Sequence, residues 1–316
     1  MEKNLNSIQK TDAAIKDCIN NALWKDDTLR VAEYDEIDIH VKNGTVYLSG
    51  HIVSTASQRR IENAIRSIPG IEGINNNLVL DDELTLKVAA ALEVLEHTYD
   101  CKFFTSTLHG VVSLDGVVKN NKVKLLAEKC VASNPSVRGV ISNIRTSRAA
   151  PRLQNQPFLQ PTIGEPIYFL DGVSGVVERV IINPNNRRVI AMLVRGKFTD
   201  PRYENNSLAE GRVRLSEQFV TVPMSVVRYL TKVSGFLYIL SNERNQYMNF
   251  DPCVFFVPNK DWVPPYPYCP DDILFPIEYQ NADTQIVPEP DQFPFGEILE
   301  DASVREQFFA TDSLGL

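Results

Sequence analysis

The sequence lacks the features that mark an exported, membrane-spanning or metal-binding protein. None of its 316 residues lies in an apolar run that approaches the roughly 18–20 residues of a membrane span, and residues 1–10 hold no apolar core of a secretory signal. The five cysteines are an odd number without a Cys-x-x-Cys pair, which indicates reduced thiols and neither a disulfide framework nor a zinc site. We therefore expect a cytoplasmic protein, and a peripheral position at the inner membrane stays open.

Motifs of catalysis and cofactor binding are missing as well. The sequence has no Gly-x-x-x-x-Gly-Lys-Ser/Thr phosphate loop and no Gly-x-Ser-x-Gly nucleophile elbow. Its four histidines, at positions 40, 51, 97 and 109, show no i, i+4 spacing of the kind that binds metals. The sequence thus predicts no catalytic residue, no cofactor and no metal site, so we do not expect an enzyme.

Basic residues are fewer than acidic ones, 32 against 40, and the formal net charge is −8. A negative field repels nucleic acid and anionic lipid unless a local basic face overrides it. Nucleic acid is therefore disfavoured as a partner.

An internal repeat organises the first half of the chain. Residues 43–50 (NGTVYLSG) and 109–116 (HGVVSLDG) align at an offset of 66 residues, the distance from Gly44 to Gly110. The same offset places Pro69 on Pro135 without a gap. Matches at one fixed offset over this length indicate a duplicated unit.

Each copy has the pattern helix, strand, strand, helix, strand. In the first copy, Asp12 can cap a helix whose apolar stripe begins with Ile15 and Ile19. Asn43-Gly44 then predicts a tight hairpin turn between two alternating strands, because these residues accept positive φ angles. The second copy repeats the pattern, and its first helix is predicted to turn four residues inward: Leu84, Val88, Ala91 and Leu92. The link at residues 80–83 is short, which favours a semi-rigid pair.

The hairpin pattern Gly-x-Val-x-Leu-x-Gly, an arginine-bearing helix and a Pro-x-x-x-Gly strand resemble the BON domain. The resemblance implies two tandem copies, at residues 11–81 and 82–148, after an N-terminal tail of residues 1–10. It also implies non-catalytic modules of a bacterial family that is associated with membrane surfaces, phospholipid or other envelope partners.

The second half begins after a proline-containing linker at residues 149–161. Short strand patterns over residues 162–258 predict a small antiparallel β-barrel. The motifs Ile-Gly-x-Pro-Ile-Tyr and Asp-Gly-x-x-Gly-x-Val resemble the PRC-barrel family. That resemblance implies a docking module for proteins or membrane complexes, and its ribosome-maturation member suggests an alternative, a ribosome- or RNA-associated maturation factor.

Residues 259–316 are acidic and rich in proline and aromatic residues, which predicts an extended tail. Two interpretations stay open: a flexible solubilising tail, or an arm that lies on the folded domains of its own or a neighbouring subunit. Self-association through the tail or the repeats is part of the hypothesis.

Basic residues on the second helix of each repeat form the candidate binding site, with solvated helix faces as the alternative. The fold class predicted is α+β: two tandem α-β-β-α-β modules, a small antiparallel β-barrel and an extended acidic tail. Its function would be that of a non-catalytic adaptor or scaffold on a protein complex or an anionic membrane surface. The candidate residues are Arg59, Arg60, Arg66, Lys122, Lys124 and Lys129.

Overall fold

The computed structural model describes residues 11–146, 157–199, 215–231, 233–243 and 245–279. The predicted N-terminal tail, most of the predicted linker and the predicted tail beyond residue 279 lie outside the described residues. The chain divides into two compact units. The first consists of residues 1–156, 185–187 and 265–267, and the second of residues 157–184, 188–264 and 268–316.

The first repeat contains three helices and a three-stranded sheet. Strand β2 is central: β1 pairs with it antiparallel and β3 pairs with it parallel. The helices bury one apolar stripe each against one face of this sheet, as the sequence periodicity predicts. The elements are α1 (Asp12–Lys25), α2 (Asp27–Ala32), β1 (Ile37–Lys42), β2 (Thr45–Ile52), α3 (Thr55–Arg66) and β3 (Gly73–Leu80).

The start of α1 corrects the prediction that Asp12 caps the helix. The cap is Thr11, whose hydroxyl oxygen accepts a hydrogen bond from the Ala14 amide at 3.3 Å. Asp12 is instead the first helical residue, and its carboxylate accepts the amides of Asn43 and Gly44 at 2.8 and 2.9 Å. The aspartate thereby fastens the hairpin turn to the helix.

The second repeat has the same order of elements without a counterpart of α2. Its sheet has the order β4-β5-β6, again with an antiparallel hairpin and a parallel third strand. Leu84, Val88 and Leu92 are buried as predicted, but Ala91 is exposed, so its predicted inward position is wrong. The elements are α4 (Asp81–Tyr99), β4 (Lys102–Leu108), β5 (Val111–Val118), α5 (Asn121–Ala132) and β6 (Gly139–Thr146).

The hairpin turns of both repeats have the predicted left-handed backbone. The φ angles are 50° and 72° at Asn43 and Gly44, and 50° and 76° at His109 and Gly110. Two successive positive φ angles define the tight turn that suits the twist of the flanking strands. The tight turn predicted from Asn43-Gly44 is confirmed, and the second copy repeats it at His109-Gly110.

The second unit is built on a mixed, curled sheet and not on the small antiparallel barrel that the sequence predicted. Its main path has the order β11-β12-β7-β8-β9-β10-β13, and the described strands do not close it into a barrel. Two pairs, β12 with β7 and β15 with β8, are parallel. The strands are β7 (Pro166–Tyr168), β8 (Ser174–Asn183), β9 (Arg188–Thr199), β10 (Leu215–Pro223), β11 (Val227–Leu230), β12 (Gly235–Leu237), β13 (Met248–Asn249), β14 (Phe255–Phe256) and β15 (Ile273–Pro276).

The curled sheet of the second unit encloses its main apolar core, to which the described end of the chain contributes. Ile273 and Phe275, which lie within the predicted tail, are buried there through β15. Tyr268 is also buried, and its hydroxyl donates to the carbonyl oxygen of Pro161 at 2.8 Å. Residues 268–276 therefore belong to the folded unit.

Helices in the described part of the chain do not combine the length and apolar character that crossing a bilayer requires.

Candidate docking surfaces

The predicted basic residues lie on helices α3 and α5, on the outer sides of the two repeats. Five of the six side chains are exposed, whereas Lys124 is half-buried. Residues seven positions apart lie on one side of a helix, so Arg59 and Arg66 share one stripe of α3. Lys122 and Lys129 share one stripe of α5 for the same reason. Each helix thus presents its own pair of aligned cations.

Acidic neighbours partly neutralise the cations of α3. Arg60 pairs with Asp26 at 3.4 Å, and Arg66 pairs with Glu62, one turn earlier on the helix, at 3.4 Å. Exposed pairs of this length contribute little to stability, and such arginines keep donors for another partner. The ion pairs lower the net charge of the surface without removing its donors.

The register of the repeats places the cations of the two helices at non-equivalent positions. Helices α3 and α5 are offset by 66 residues along their whole lengths, at residues 55–66 and 121–132. At that offset Arg59 is equivalent to Leu125, and Lys122 is equivalent to Ala56. The two basic stripes are therefore separate features of the two repeats and not a duplicated site.

A buried junction joins the two repeats directly. The last residue of β3 is Leu80 and α4 begins at Asp81, so no loop separates the repeats. His51, at the end of β2, is only 3% exposed, and its Nε2 lies 2.8 Å from the carbonyl oxygen of Ser136. Because a carbonyl oxygen only accepts, Nε2 carries the proton and donates.

Burial lowers the pKa of His51 to about 4, and the nearby Arg138 guanidinium acts in the same direction. The Ser136 carbonyl opposes this effect. Within the described residues, the buried Nδ1 of His51 has no hydrogen-bond partner, so a second proton on the ring would be left without an acceptor. The junction therefore keeps His51 in its neutral form at neutral pH.

Arg138 forms an ion pair across the same junction. Its guanidinium Nη1 donates to Glu36 at 2.5 Å and to the carbonyl oxygen of His109 at 3.0 Å. Glu36 belongs to the first repeat, whereas Arg138 and His109 belong to the second. The Arg138 side chain is 13% exposed, so the pair is poorly screened by solvent.

Asp81 is equivalent in role to Asp12. Its carboxylate accepts the amides of His109 and Gly110 at 2.5 and 2.8 Å, and its side chain is buried. Burial raises the pKa of Asp81, while the two amide donors oppose that effect. Both aspartates are the first residue of the first helix in their repeat, and each bonds to the turn of the hairpin that follows that helix.

The second unit displays a stack of three aromatic rings from neighbouring strands. Tyr229 of β11 stacks on Phe236 of β12 at 4.8 Å between ring centroids, and Phe236 stacks on Tyr168 of β7 at 5.3 Å. Both pairs have an interplanar angle of 25°. Tyr229 is 44% exposed. A partly exposed aromatic surface of this kind suits contact with apolar side chains of a partner.

Metal-binding geometry is not found among the described residues: no group of three or more His, Cys, Asp or Glu side chains is placed to hold an ion. The expectation of a protein without metal or cofactor stays a prediction.

Residues 11–82 and 80–148 each match the family model of the BON domain. No curated protein sequence matches the chain. A solved structure of CdsD, described as a structural protein of the type III secretion system of Chlamydia trachomatis, is similar over 47% of this chain and 71% of that one. Its TM-score of 0.36 and sequence identity of 14% are too low to support an argument about function.

The resemblance of the second unit to the PRC-barrel is not confirmed by these matches. Residues 11–148 thus match the BON family model twice in tandem, as their hairpin and helix motifs predicted.

Proposed function

We propose that this protein is a non-catalytic cytoplasmic scaffold that docks on a protein complex or an anionic membrane surface. The observation that carries the proposal is the junction between the BON domains. Because His51 and Arg138 hold the two repeats together without a linker, α3 and α5 present their basic stripes from one body. Two weak surfaces held on one body bind a common partner more tightly than either surface alone.

Charge reversal on each stripe tests the docking role separately for the two repeats. The variants are Arg59→Glu with Arg66→Glu on α3, and Lys122→Glu with Lys129→Glu on α5. The control is Lys16→Glu with Lys42→Glu, which makes the same change in net charge at exposed positions outside both helices. All three should melt like the wild type, since exposed charges contribute little to stability.

Sedimentation with anionic vesicles at low salt distinguishes the two kinds of partner. If the membrane is the partner, the wild type and the control pair sediment, and each stripe variant loses binding because every lysine or arginine near the surface adds about 1 kcal/mol. A wild type that stays in the supernatant at low salt contradicts the membrane form and leaves protein docking as the scaffold's role. Binding that all three variants retain contradicts a role for the basic stripes.

We also infer a docking role of the PRC-barrel type for the second unit, supported by its strand motifs and by the exposed ring stack at Tyr229. The alternative of a ribosome- or RNA-associated factor is opposed by the net charge of −8. RNA binding through several phosphates would weaken steeply between low and moderate salt, which a titration with RNA at two salt concentrations measures.

A further inference from the structure

Helix α4 has two opposite faces, and only one of them is needed by the BON fold. Leu84, Val88 and Leu92 are buried against the sheet and α5. The helix turns by about 100° per residue, which places Ala90 at the centre of the opposite side. Ala90 is exposed, and on either side of it Leu86 and Val94 are 72% and 69% exposed. Two large aliphatic side chains thus flank a small one on a solvent-facing stripe.

The first repeat shows that the fold itself does not require this apolar stripe. Helices α1 and α4 correspond at an offset of 69 residues, the distance from Asp12 to Asp81, and their buried residues agree at that offset. The equivalents of Leu86, Ala90 and Val94 are polar. In chain order they are Asp17, Asn21 and Lys25.

Charged residues on the α4 stripe are arranged symmetrically about Ala90 with opposite signs. Lys87 and Glu93 lie three residues before and after Ala90, and Glu83 and His97 lie seven residues before and after it. All four lie within about 60° of Ala90 around the helix axis. Within one chain they pair along the helix, Lys87 with Glu83 at 3.5 Å and His97 with Glu93 at 3.7 Å.

This symmetry fits a second copy of the same helix. When two identical helices pack antiparallel about a twofold axis, a residue before the axis meets the residue equally far after it in the partner. An axis at Ala90 brings Leu86 against Val94 of the other copy, and Lys87 against its Glu93. Glu83 of one copy meets His97 of the other in the same way.

We propose that α4 is a homodimerisation helix, packed antiparallel on α4 of a second copy with the twofold axis at Ala90. The small side chain at the axis lets the helices approach to the 8–10 Å that is typical of packed helices. Leu86 and Val94 supply the apolar contact on each side, and the pairs of opposite charge fix the antiparallel direction. The scaffold then carries four BON domains, two from each chain.

The mass of the full chain in sedimentation equilibrium tests the proposal. We expect the apparent mass of the wild type to approach twice the mass of one chain as the protein concentration rises. Ala90→Glu places two like charges at the axis and should leave the protein monomeric, while the protein stays folded because Ala90 is exposed. The matched control is Asn21→Glu at the equivalent position of α1, which should dimerise like the wild type.

A charge swap keeps the proposal testable if Ala90→Glu fails to fold. Lys87→Glu and Glu93→Lys should each weaken dimerisation, because each places like charges opposite one another across the twofold axis. The double variant restores opposite charges and should recover at least part of the lost association. A double variant weaker than both single variants contradicts the predicted pairing of Lys87 with Glu93.

Two results overturn the proposal directly. One is a wild type that remains monomeric over the whole concentration range. The other is an assembled wild type whose mass is unaffected by Ala90→Glu, since its interface would then lie elsewhere. Neither result bears on vesicle binding by the basic stripes, so failure here and failure of the proposed function are distinguishable.

Discussion

At the scale of single residues, equivalent positions of the two repeats have acquired different roles. Gly44 and Gly110 are both in the left-handed region at the same point of the hairpin. A Cβ atom at Gly44 would lie 3.0 Å from the flexible Glu72 side chain, whereas one at Gly110 would lie 2.4 Å from the His51 ring. The second glycine therefore serves both its own turn and the junction between the repeats.

This difference predicts unequal costs for the same substitution. Gly44→Ala should lose about 1–2 kcal/mol of unfolding free energy, the usual penalty of a left-handed conformation. Gly110→Ala should lose at least about 1 kcal/mol more, because the His51 ring must move. Urea denaturation of both variants measures the difference, and equal losses would show that the close contact with His51 is unimportant.

At the scale of elements, β2 of the first repeat and the turn after α5 meet at His51. The unfolded chain protonates this histidine below pH 6.5, but the folded chain resists protonation down to about pH 4. The contribution of neutral His51 to the free energy of unfolding is therefore complete above pH 6.5 and is lost as the pH falls towards 4. Its full size is roughly 3 kcal/mol, from about 1.4 kcal/mol per pKa unit.

Unfolding free energies of wild type and His51→Gln between pH 7 and 4 test the junction. The glutamine amide can still donate to Ser136 but does not titrate, so the variant should show a shallower loss of stability with acid. The matched control is His40→Gln, the same substitution at an exposed position on β1. Identical slopes for wild type and His51→Gln would show that His51 does not link folding to pH.

The elements also show how much of the fold could be predicted from the sequence alone. Both hairpins and most buried helical stripes could be predicted, since alternation, turn residues and helical periodicity are local signals. The bonds from Asp81 to the Gly110 turn and from His51 to Ser136 could not, because their partners lie 29 and 85 residues away. The barrel prediction was wrong for a similar reason. Closure depends on which edge strands pair, and here β7 and β8 each gain a parallel partner from distant sequence.

At the scale of the whole molecule, the two repeats lie in one compact unit, and the second unit adds a curled sheet with a partly exposed stack of aromatic rings. An acidic chain that presents two basic stripes is suited to selective docking, since its overall field discourages nonspecific contact with anions. We propose that these stripes recruit a partner and perform no chemistry.

Quantitative affinity purification from the source cells, followed by mass spectrometry, tests that claim most directly. The full chain, both stripe variants and the Lys16→Glu, Lys42→Glu control are used as parallel baits. We expect one set of proteins or lipids that the wild type and the control retain at equal levels, and that each stripe variant loses. Recovery of the same partners at the same levels by all four baits would contradict it.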